Sequence, residues 1–299
     1  MSRIYDALRK AEEEKQNLGE ATSSPATVAT PSAPAPAIDA LAEVRRSMIT
    51  GAVSAINWNP NLKKLPALVG FDAGAEEFRR LRSRLYQFRD SQPIKSLLVT
   101  SGLPGEGKSF IASNLAISLA RHQDCRVLLI DGDLRKPSLH TVLGAPSSPG
   151  LSDYLAGKTT AAQIVQRGNI SNLSFIPAGT PVENAAELAG NYYIEELVRS
   201  LSNEFDWIVT DSSPVVPVSD AVNLARACDG VLLVARAAQT PFDIAQKAQK
   251  EFKNTRVIGF VLNAVPNMKS SSGYGYYNKK YGYSLTASSS AKAQAAGAE

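Results

Sequence analysis

The sequence predicts an α/β fold in which a mostly parallel sheet is flanked by helices on both faces. Six segments are near-continuous apolar runs, as is typical of parallel strands covered on both faces: SLLVTS, RVLLIDGD, LSFIPAG, DWIVTDSS, GVLLVARA and VIGFVLNA. Helical stretches separate the strands and are expected at 109–121, 151–155, 185–201, 220–227 and 242–254. The alternation of strand and helix indicates a sheet wrapped by its crossover helices.

The glycine-rich stretch LVTSGLPGEGKSFIASN (98–114) follows the first predicted strand and opens the first crossover helix. It fits the pattern G-x-x-x-x-G-K-[ST] at Gly102, Gly107, Lys108 and Ser109. Backbone N–H groups that no side chain shields can converge on one anion, and the start of a helix adds more. A glycine turn with a purely structural role would explain neither the lysine nor the hydroxyl. The stretch therefore predicts a phosphate-binding loop and a P-loop NTPase fold.

Acidic side chains end two of the other predicted strands. Asp131 and Asp133 end RVLLIDGD, and Asp211 lies near the end of DWIVTDSS. Because ligands of parallel α/β sheets gather at the carboxyl ends of the strands, we expect these carboxylates to converge on the loop. A single Asp after a strand is often only a turn or capping residue. Three of them beside a phosphate loop favour a Mg²⁺ site for nucleotide chemistry.

The chain is expected to begin with a short helix and a linker. Ile4, Leu8 and Ala11 recur at helical spacing and predict a helix within residues 1–18. Its apolar face is too narrow to form a core, so the helix either docks on a partner or is only nascent; we favour docking. Residues 19–73 are interpreted as a Pro/Ala/Ser-rich linker that continues into a segment of ambiguous pattern.

An ordered domain is predicted over residues 74–266. It opens with a helical segment in which Phe78, Leu81, Leu85 and Phe88 form an apolar stripe, while arginines occupy the other faces.

The composition changes at Asn267, and residues 267–299 contain almost no aliphatic side chains. Such a segment cannot bury enough apolar surface to fold, so it is predicted to be a disordered tail. The tail nevertheless holds half of the ten tyrosines in the chain: Tyr274, Tyr276, Tyr277, Tyr281 and Tyr283.

The overall composition narrows the possible functions. The chain has 299 residues and a net charge of +4, but no basic stripe with interleaved aromatic residues, so we expect no nucleic-acid partner. Its two cysteines, Cys125 and Cys228, lack metal-ligand spacing and suit a reducing cytoplasm. No apolar run is long enough to span a bilayer, and the charged N-terminus does not read as a secretory signal. Any contact with a membrane is therefore expected to depend on a partner.

Several motifs together resemble the bacterial tyrosine kinases that control polymerisation and export of capsular and exopolysaccharides. The loop, the D-x-D-x-R-x-P run beginning at Asp131, and Asp211 resemble the Walker A, Walker A′ and Walker B motifs of that family. The segments PGLSDYLAG, IPAGTPVENAAELAG, SDAVNLARACDGVLLVARAAQTP and IGFVLNAV also look like family segments. The resemblance runs from about residue 74 to residue 283. The opening MSRIYDALRKAEEE looks like the start of free-standing members.

The resemblance implies catalytic roles for Lys108, Asp131 and Asp133. Lys108 would hold the β- and γ-phosphates of ATP. Asp131 would accept or orient the tyrosine proton, although Asp131 and Asp133 could exchange roles. Mg²⁺ would be held by Ser109, Asp133 and Asp211. The nucleotide would be bound by the loop and by one amide at a strand end: Gly102, Gly105, Gly107, Lys108, Ser109 and Asn263. Asn263 either contacts the adenine or only ends its strand in a turn.

The resemblance also implies how the protein assembles and what it phosphorylates. The run E-x-x-R-x-x-R, here Glu76, Arg79 and Arg82, would join copies into a ring-like homo-oligomer. The tail tyrosines would be the phosphoacceptors, labelled in trans by a neighbouring copy. The activator would be a separate membrane-spanning protein of polysaccharide chain-length control or export. The kinase would then be a cytoplasmic protein held at the inner membrane by that partner.

Two departures from the family pattern keep other functions open. Phe110 stands where the family has threonine, and Ser212-Ser213 follow Asp211 where the family has D-T-P-P; both could slow transfer. One alternative is a regulatory ATPase switch of the partitioning or division type. Such switches carry an extra lysine early in the loop, which is absent from 102–106, and they lack a tyrosine tail. Another alternative is a scaffold that binds nucleotide weakly.

Overall fold

The protein was analysed as a computed structural model, which describes residues 56–70, 73–190 and 192–266. The strands in chain order are β1 Ser96–Ser101, β2 Val127–Asp131, β3 Gln166–Arg167, β4 Leu173–Ile176, β5 Trp207–Asp211, β6 Gly230–Arg236 and β7 Val257–Asn263. The helices are α1 Pro66–Val69, α2 Ala73–Ser91, α3 Lys108–Ala120, α4 Leu139–Leu143, α5 Leu151–Leu155, α6 Ala161–Ile164, α7 Ala185–Ala189, α8 Tyr192–Leu201, α9 Asp220–Ala225 and α10 Phe242–Glu251.

The seven strands form one sheet in the order β3-β4-β2-β5-β1-β6-β7. Every neighbouring pair runs parallel except β3 and β4, which pair antiparallel at one edge. The predicted α/β fold with a mostly parallel sheet is thus confirmed, and all six predicted strands are present. The order places β1, which leads into the glycine-rich loop, between β5 and β6.

Helices cover both faces of the sheet because alternate strand residues point to opposite sides. In β1, Leu97 and Val99 join a buried cluster with α2 and α3, whereas Leu98 joins a second cluster with α8 and α9. Ten consecutive residues of α3, Ile111–Ala120, are buried. Helix α3 is buried on all sides because it lies between the sheet and the helices α1 and α2. The glycine-rich loop therefore leads into a helix that is fixed along most of its length.

One predicted helix is wrong in its extent. The sequence pattern predicts a single helix over 185–201, but the structure has two helices, α7 and α8, with Gly190 following the first. Glycine is among the poorest helix formers, so the helix can end there. The short strand β3 and the short helices α1, α4 and α6 were not predicted, because elements of two to five residues carry too little periodic pattern.

Residues 56–70, here called the N-terminal strap, belong to the packed domain, although the sequence analysis placed them in the linker segment. Trp58 is buried, and its ring meets Phe175 edge-on with 6.1 Å between the ring centroids. Gly168 makes room for the indole, since a Cβ at that position would lie 2.1 Å from it. The domain therefore begins well before the predicted boundary at residue 74.

The N-terminal strap is also tied to the helix that follows the glycine-rich loop. Asn114, fully buried in α3, accepts a hydrogen bond from Ala67 N (3.1 Å) and donates one to Lys64 O (2.9 Å). Its Nδ2 also donates to Phe110 O (2.9 Å) within α3. Because both ends of this amide are used, the strap and α3 are held as one packed unit.

Three predicted segments fall mainly or wholly outside the described residues: the helix within 1–18, linker residues 19–55 and the tail 267–299. Within the described ranges, no helix combines the length and apolar character needed to cross a bilayer.

Replacing Trp58 by alanine tests whether the N-terminal strap is part of the core. We expect Trp58→Ala to lower the free energy of unfolding by about 3–5 kcal/mol, because it removes a large buried side chain. Leu62→Ala is the matched control, since Leu62 lies in the same strap with 57% of its surface exposed. Urea unfolding of both variants gives the comparison. Equal midpoints for Trp58→Ala and the wild type would show that the strap contributes nothing.

Candidate active site

The glycine-rich loop connects β1 to α3 and exposes backbone rather than side chains at its tip. Gly105 and Gly107 have φ of +82° and +95°, values that L side chains rarely adopt. A Cβ on Gly107 would also lie 2.1 Å from Asn263 Nδ2, so only glycine fits there. Helix α3 starts at Lys108, and its N-cap, Gly107, has no side chain with which to cap it. The free N–H groups of this helix start are suited to bind an anion.

Three carboxylates meet beside the loop. Asp131 and Asp211 are cross-strand neighbours at the ends of β2 and β5, and Asp133 follows two residues after β2. All three are buried. Gly132 permits this close approach: its N–H donates to Asp211 O (2.9 Å), and a Cβ there would lie 2.7 Å from the same oxygen. The structure thus brings together the acidic residues that the sequence analysis selected.

Lys108 turns from the loop towards these acids. Its Nζ lies 2.9 Å from Asp133 Oδ2 and 3.4 Å from Ser109 Oγ. Burial works to lower the pKa of Lys108, but the carboxylates of Asp211, Asp133 and Asp131 outweigh burial, and the pKa lies above its ordinary value. The ammonium is therefore charged at neutral pH and available to phosphate oxygens.

Asp131 and Asp211 share a buried environment that disfavours two negative charges. Burial first, and then the charge of Asp211, raises the pKa of Asp131 to about 8, although Ser138 N and Leu139 N donate to its Oδ2 at 3.1 and 3.0 Å. Burial also raises the pKa of Asp211 to about 6, against the opposing effects of Lys108 and the Ser109 hydroxyl. The positive charge nearby is therefore not enough to keep both carboxyl groups ionised.

The carboxylate oxygens fit a divalent cation that also binds phosphate. Asp131 Oδ1 and both oxygens of Asp211 are buried and have no hydrogen bond of normal geometry within the described ranges. Across the same ranges, no group of three or more acidic, histidine or cysteine side chains forms a complete metal cage. Mg²⁺ suits this arrangement, because it is held by one or two carboxylates together with waters and phosphate oxygens.

Asn263 lies at the loop, where its amide is already used. Its Nδ2 donates to Glu106 O (2.9 Å), and its Oδ1 accepts from Ala264 N (2.8 Å). Asn263 therefore ties the end of β7 to the loop, and its contact with adenine stays a prediction. The sequence analysis overlooked Glu106, which is buried in the loop. A charged residue in a stretch otherwise almost free of side chains was the available signal.

The predicted assembly residues are bound within the chain in this structure. On α2, Arg79 Nη1 lies 2.5 Å from Glu76 Oε2, and Arg79 Nη2 donates to Gly70 O. Arg82 Nη1 donates to Ser118 O in α3 (2.6 Å). These contacts fix the arginines relative to the N-terminal strap and α3, while Glu76 stays exposed.

The two departures from the family pattern are accommodated by packing and hydrogen bonds. Phe110 meets Phe78 of α2 edge-on with 5.7 Å between the ring centroids. The Ser212 hydroxyl donates to Val99 O (3.3 Å), and the Thr100 hydroxyl donates to Ser213 O (2.9 Å). The five tyrosines of the predicted phosphoacceptor tail lie outside the described residues.

Asp131→Asn tests whether the buried carboxylates of Asp131 and Asp211 repel each other, and the test needs no ligand. Because the folded pKa of Asp131 is raised to about 8, the native state holds a proton that the unfolded chain releases near pH 4, and wild-type stability falls as pH rises between these values. We expect the variant to gain about 0.5–2 kcal/mol in free energy of unfolding at pH 8, and less at pH 5.

Denaturant unfolding at the two pH values measures the gain. Asp90→Asn, at an exposed acid near the end of α2, is the control, and its effect on the free energy of unfolding should be the same at both pH values. An Asp131→Asn variant that is less stable than the wild type at pH 8 would contradict this repulsion between the buried carboxylates.

Comparisons with known proteins identify the fold and the family of this chain. Residues 93–284 match a family model described as ParA: NUBPL iron-transfer P-loop NTPase. The tyrosine-protein kinase YwqD of Bacillus subtilis is 34% identical over 208 residues, which cover 69% of this chain and 87% of that protein. The P-loop NTPase fold is a nucleotide-binding fold, as the loop geometry indicates.

Two solved structures extend the similarity to the fold. The chimerical protein CapA2B2 matches with a TM-score of 0.65 at 26% identity, over 75% of this chain and 99% of that one. The kinase domain of the Escherichia coli tyrosine kinase ETK matches with a TM-score of 0.64 at 29% identity, over 69% of this chain and 82% of that one. The chain belongs to the family of bacterial tyrosine-protein kinases.

Proposed function

We propose that this kinase uses ATP and Mg²⁺ to phosphorylate its own C-terminal tyrosines, and that this reaction regulates polymerisation and export of a capsular or extracellular polysaccharide. The observation that carries the chemistry is the contact between Lys108 and Asp133, beside buried oxygens of Asp131 and Asp211 that have no hydrogen bond of normal geometry within the described residues. The polysaccharide role rests on the motif resemblance.

The transfer can be written in terms of this chain's own residues. The loop N–H groups and Lys108 bind the β- and γ-phosphates, and the ammonium offsets charge that builds on the transferred group. Ser109, Asp133 and Asp211 would hold Mg²⁺, which supplies further positive charge to the phosphate oxygens. The tyrosine oxygen forms a bond to the γ-phosphorus as the bond to the bridging oxygen breaks, and ADP leaves.

Asp131 would take the tyrosine proton. Its Oδ1 is buried without a hydrogen-bond partner within the described ranges, while its Oδ2 is held by two backbone N–H groups. Burial and the charge of Asp211 raise the pKa of Asp131 to about 8, so without a cation beside it the carboxyl is mostly protonated at pH 7. Mg²⁺ bound next to it would favour the ionised form, which can accept the proton. Positioning and charge stabilisation contribute more than proton transfer in this class of reaction.

The last described strand ends beside the loop, which supports the tail that follows it in the sequence as substrate. Strand β7 ends at Asn263, whose amide contacts the loop. Tyr274 is eleven residues further along the chain, a length that spans at most about 36–40 Å when fully extended. We include labelling in trans, by a neighbouring copy, in the proposal.

Assembly and location complete the proposal. Copies of the chain would form a ring through Glu76, Arg79 and Arg82, and the helix within 1–18 would dock on a separate membrane-spanning activator. The kinase would then act in the cytoplasm at the inner membrane, without a nucleic-acid partner.

Lys108→Met tests the nucleotide site. We expect purified protein incubated with ATP and Mg²⁺ to become reactive to a phosphotyrosine antibody, and the variant to lose about 10²-fold or more of this rate. Lys136→Met, at an exposed lysine in the neighbouring Walker A′ run, is the matched control and should retain most activity. Wild-type labelling by the Lys108 variant would remove the loop from the mechanism.

Arg79→Ala combined with Arg82→Ala tests ring assembly. Arginine suits an interface because its guanidinium binds carboxylates with two hydrogen bonds. We expect light scattering to report a smaller mass than that of the wild-type oligomer, together with slower labelling between subunits. Arg80→Ala with Arg84→Ala changes exposed arginines on the same helix and should leave the mass unchanged. An unchanged mass for the first pair would contradict the ring model.

Replacing the five tail tyrosines by phenylalanine tests the substrate. Each phosphotyrosine adds about −1.5 to −2 charges, so a labelled tail should be repelled from Asp131, Asp133 and Asp211 and the ring should loosen. We expect the five-site variant to lose most labelling, to bind ATP normally and to stay assembled. Mass spectrometry of the wild type after incubation with ATP locates the phosphate; if most of it lies outside Tyr274–Tyr283, the tail is not the substrate.

A further inference from the structure

Glu106 is a buried acid inside the phosphate-binding loop, and nothing in the mechanism above uses it. Only 4% of the residue is exposed, and it precedes Gly107 and Lys108 directly. A carboxylate at this place would repel the phosphates of a nucleotide unless donors bind its oxygens. Its presence therefore calls for a structural reason that outweighs this repulsion.

Both carboxylate oxygens of Glu106 are bound by donors. Oε2 accepts from Leu103 N at 2.8 Å, which closes the loop on itself. Oε1 accepts from the hydroxyl of Thr240, which in turn accepts from Arg236 N at 2.7 Å. The direction of the hydrogen bonds is thus fixed from the end of β6, through the threonine, to the loop.

Two more contacts join the same parts of the chain. Arg236 Nη1 donates to Gly105 O at 3.1 Å, and Asn263 Nδ2 donates to Glu106 O at 2.9 Å. All of these donors, apart from Leu103 N, come from the ends of β6 and β7 or from the turn that follows β6. Since β1 lies between β5 and β6, the loop is held from the side opposite Asp131 and Asp211.

We propose that Glu106 is a positioning residue, which through its hydrogen bond to Thr240 holds the phosphate-binding loop in the conformation that accepts the nucleotide. This hydrogen bond is here called the loop latch. The inference rests on the proposal that the loop binds ATP. It adds that the loop latch sets the fraction of molecules whose loop is in the conformation that binds ATP.

The loop needs this hydrogen bond because its own glycines do not fix its backbone conformation. Gly105 and Gly107 can adopt backbone conformations on both sides of φ = 0, so an untethered loop would populate several shapes. Apparent affinity falls in proportion to the fraction of molecules in the competent shape, whereas the saturated complex is unaffected. Loss of the latch should therefore raise KM for ATP much more than it lowers kcat.

Thr240→Val and Glu106→Gln remove the latch from its two ends. The valine lacks the hydroxyl, and the glutamine presents an NH₂ group to one of two donors. We expect each variant to raise KM for ATP by about 10-fold with kcat changed by less than about 2-fold. Thr240→Ser keeps the hydroxyl and should restore the wild-type KM. The double variant should match Glu106→Gln alone, because both changes break the same contact.

The measurements are steady-state self-labelling with varied ATP, direct ATP titration, and thermal unfolding of all the full-length variants. Wild-type KM in both single variants would overturn the latch, as would losses that multiply in the double variant, or a fall in kcat at constant KM. A wild-type protein that binds no ATP would instead overturn the proposed function and the latch with it. Thr240→Val, the milder change, decides the matter if Glu106→Gln does not fold.

Discussion

The contact between Lys108 and the carboxylate of Asp133 is the interaction around which the site is arranged. It is 2.9 Å long and lies where the ends of two strands have already brought Asp131 and Asp211 together. One ammonium faces three buried carboxylates, so the local charge is negative before any nucleotide arrives. Backbone N–H groups and the fold around the site offset part of this charge, and the proposed cation would offset more of it.

The fold holds the phosphate-binding loop from two sides. On the β5 side, Gly132 lets β2 and β5 approach closely enough to present their acids to the loop. On the β6 side, Arg236 and Asn263 bind the loop carbonyls. Helix α3 is fixed below by the buried amide of Asn114 and the N-terminal strap. The glycine-rich loop is thus held by the strand ends on both sides of it and by helix α3.

Local patterns were enough to predict the sheet, the loop and the meeting of the three acids. Apolar runs mark buried parallel strands wherever they lie, and strand ends gather by topology alone. The role of Trp58 could not be predicted, because its partner Phe175 is more than a hundred residues away and its segment has no periodicity. The charge of Glu106 within the loop could have marked that residue, but its partner Thr240 could not be predicted, because the two are also more than a hundred residues apart. The end of the helix at Gly190 was within reach of the sequence, since glycine there disfavours a continuous helix.

The proposed function requires a cation at this site, and ATP binding with and without Mg²⁺ measures that requirement most directly. Calorimetric titration of ATP into the full-length protein at pH 7.5 should show tight binding when Mg²⁺ is present. With a chelator in place of Mg²⁺, binding should weaken strongly, because the phosphates of ATP would meet Asp131, Asp133 and Asp211 with only Lys108 and the loop to offset the repulsion. Equal affinity under the two conditions would contradict the account of the site as one that a cation completes.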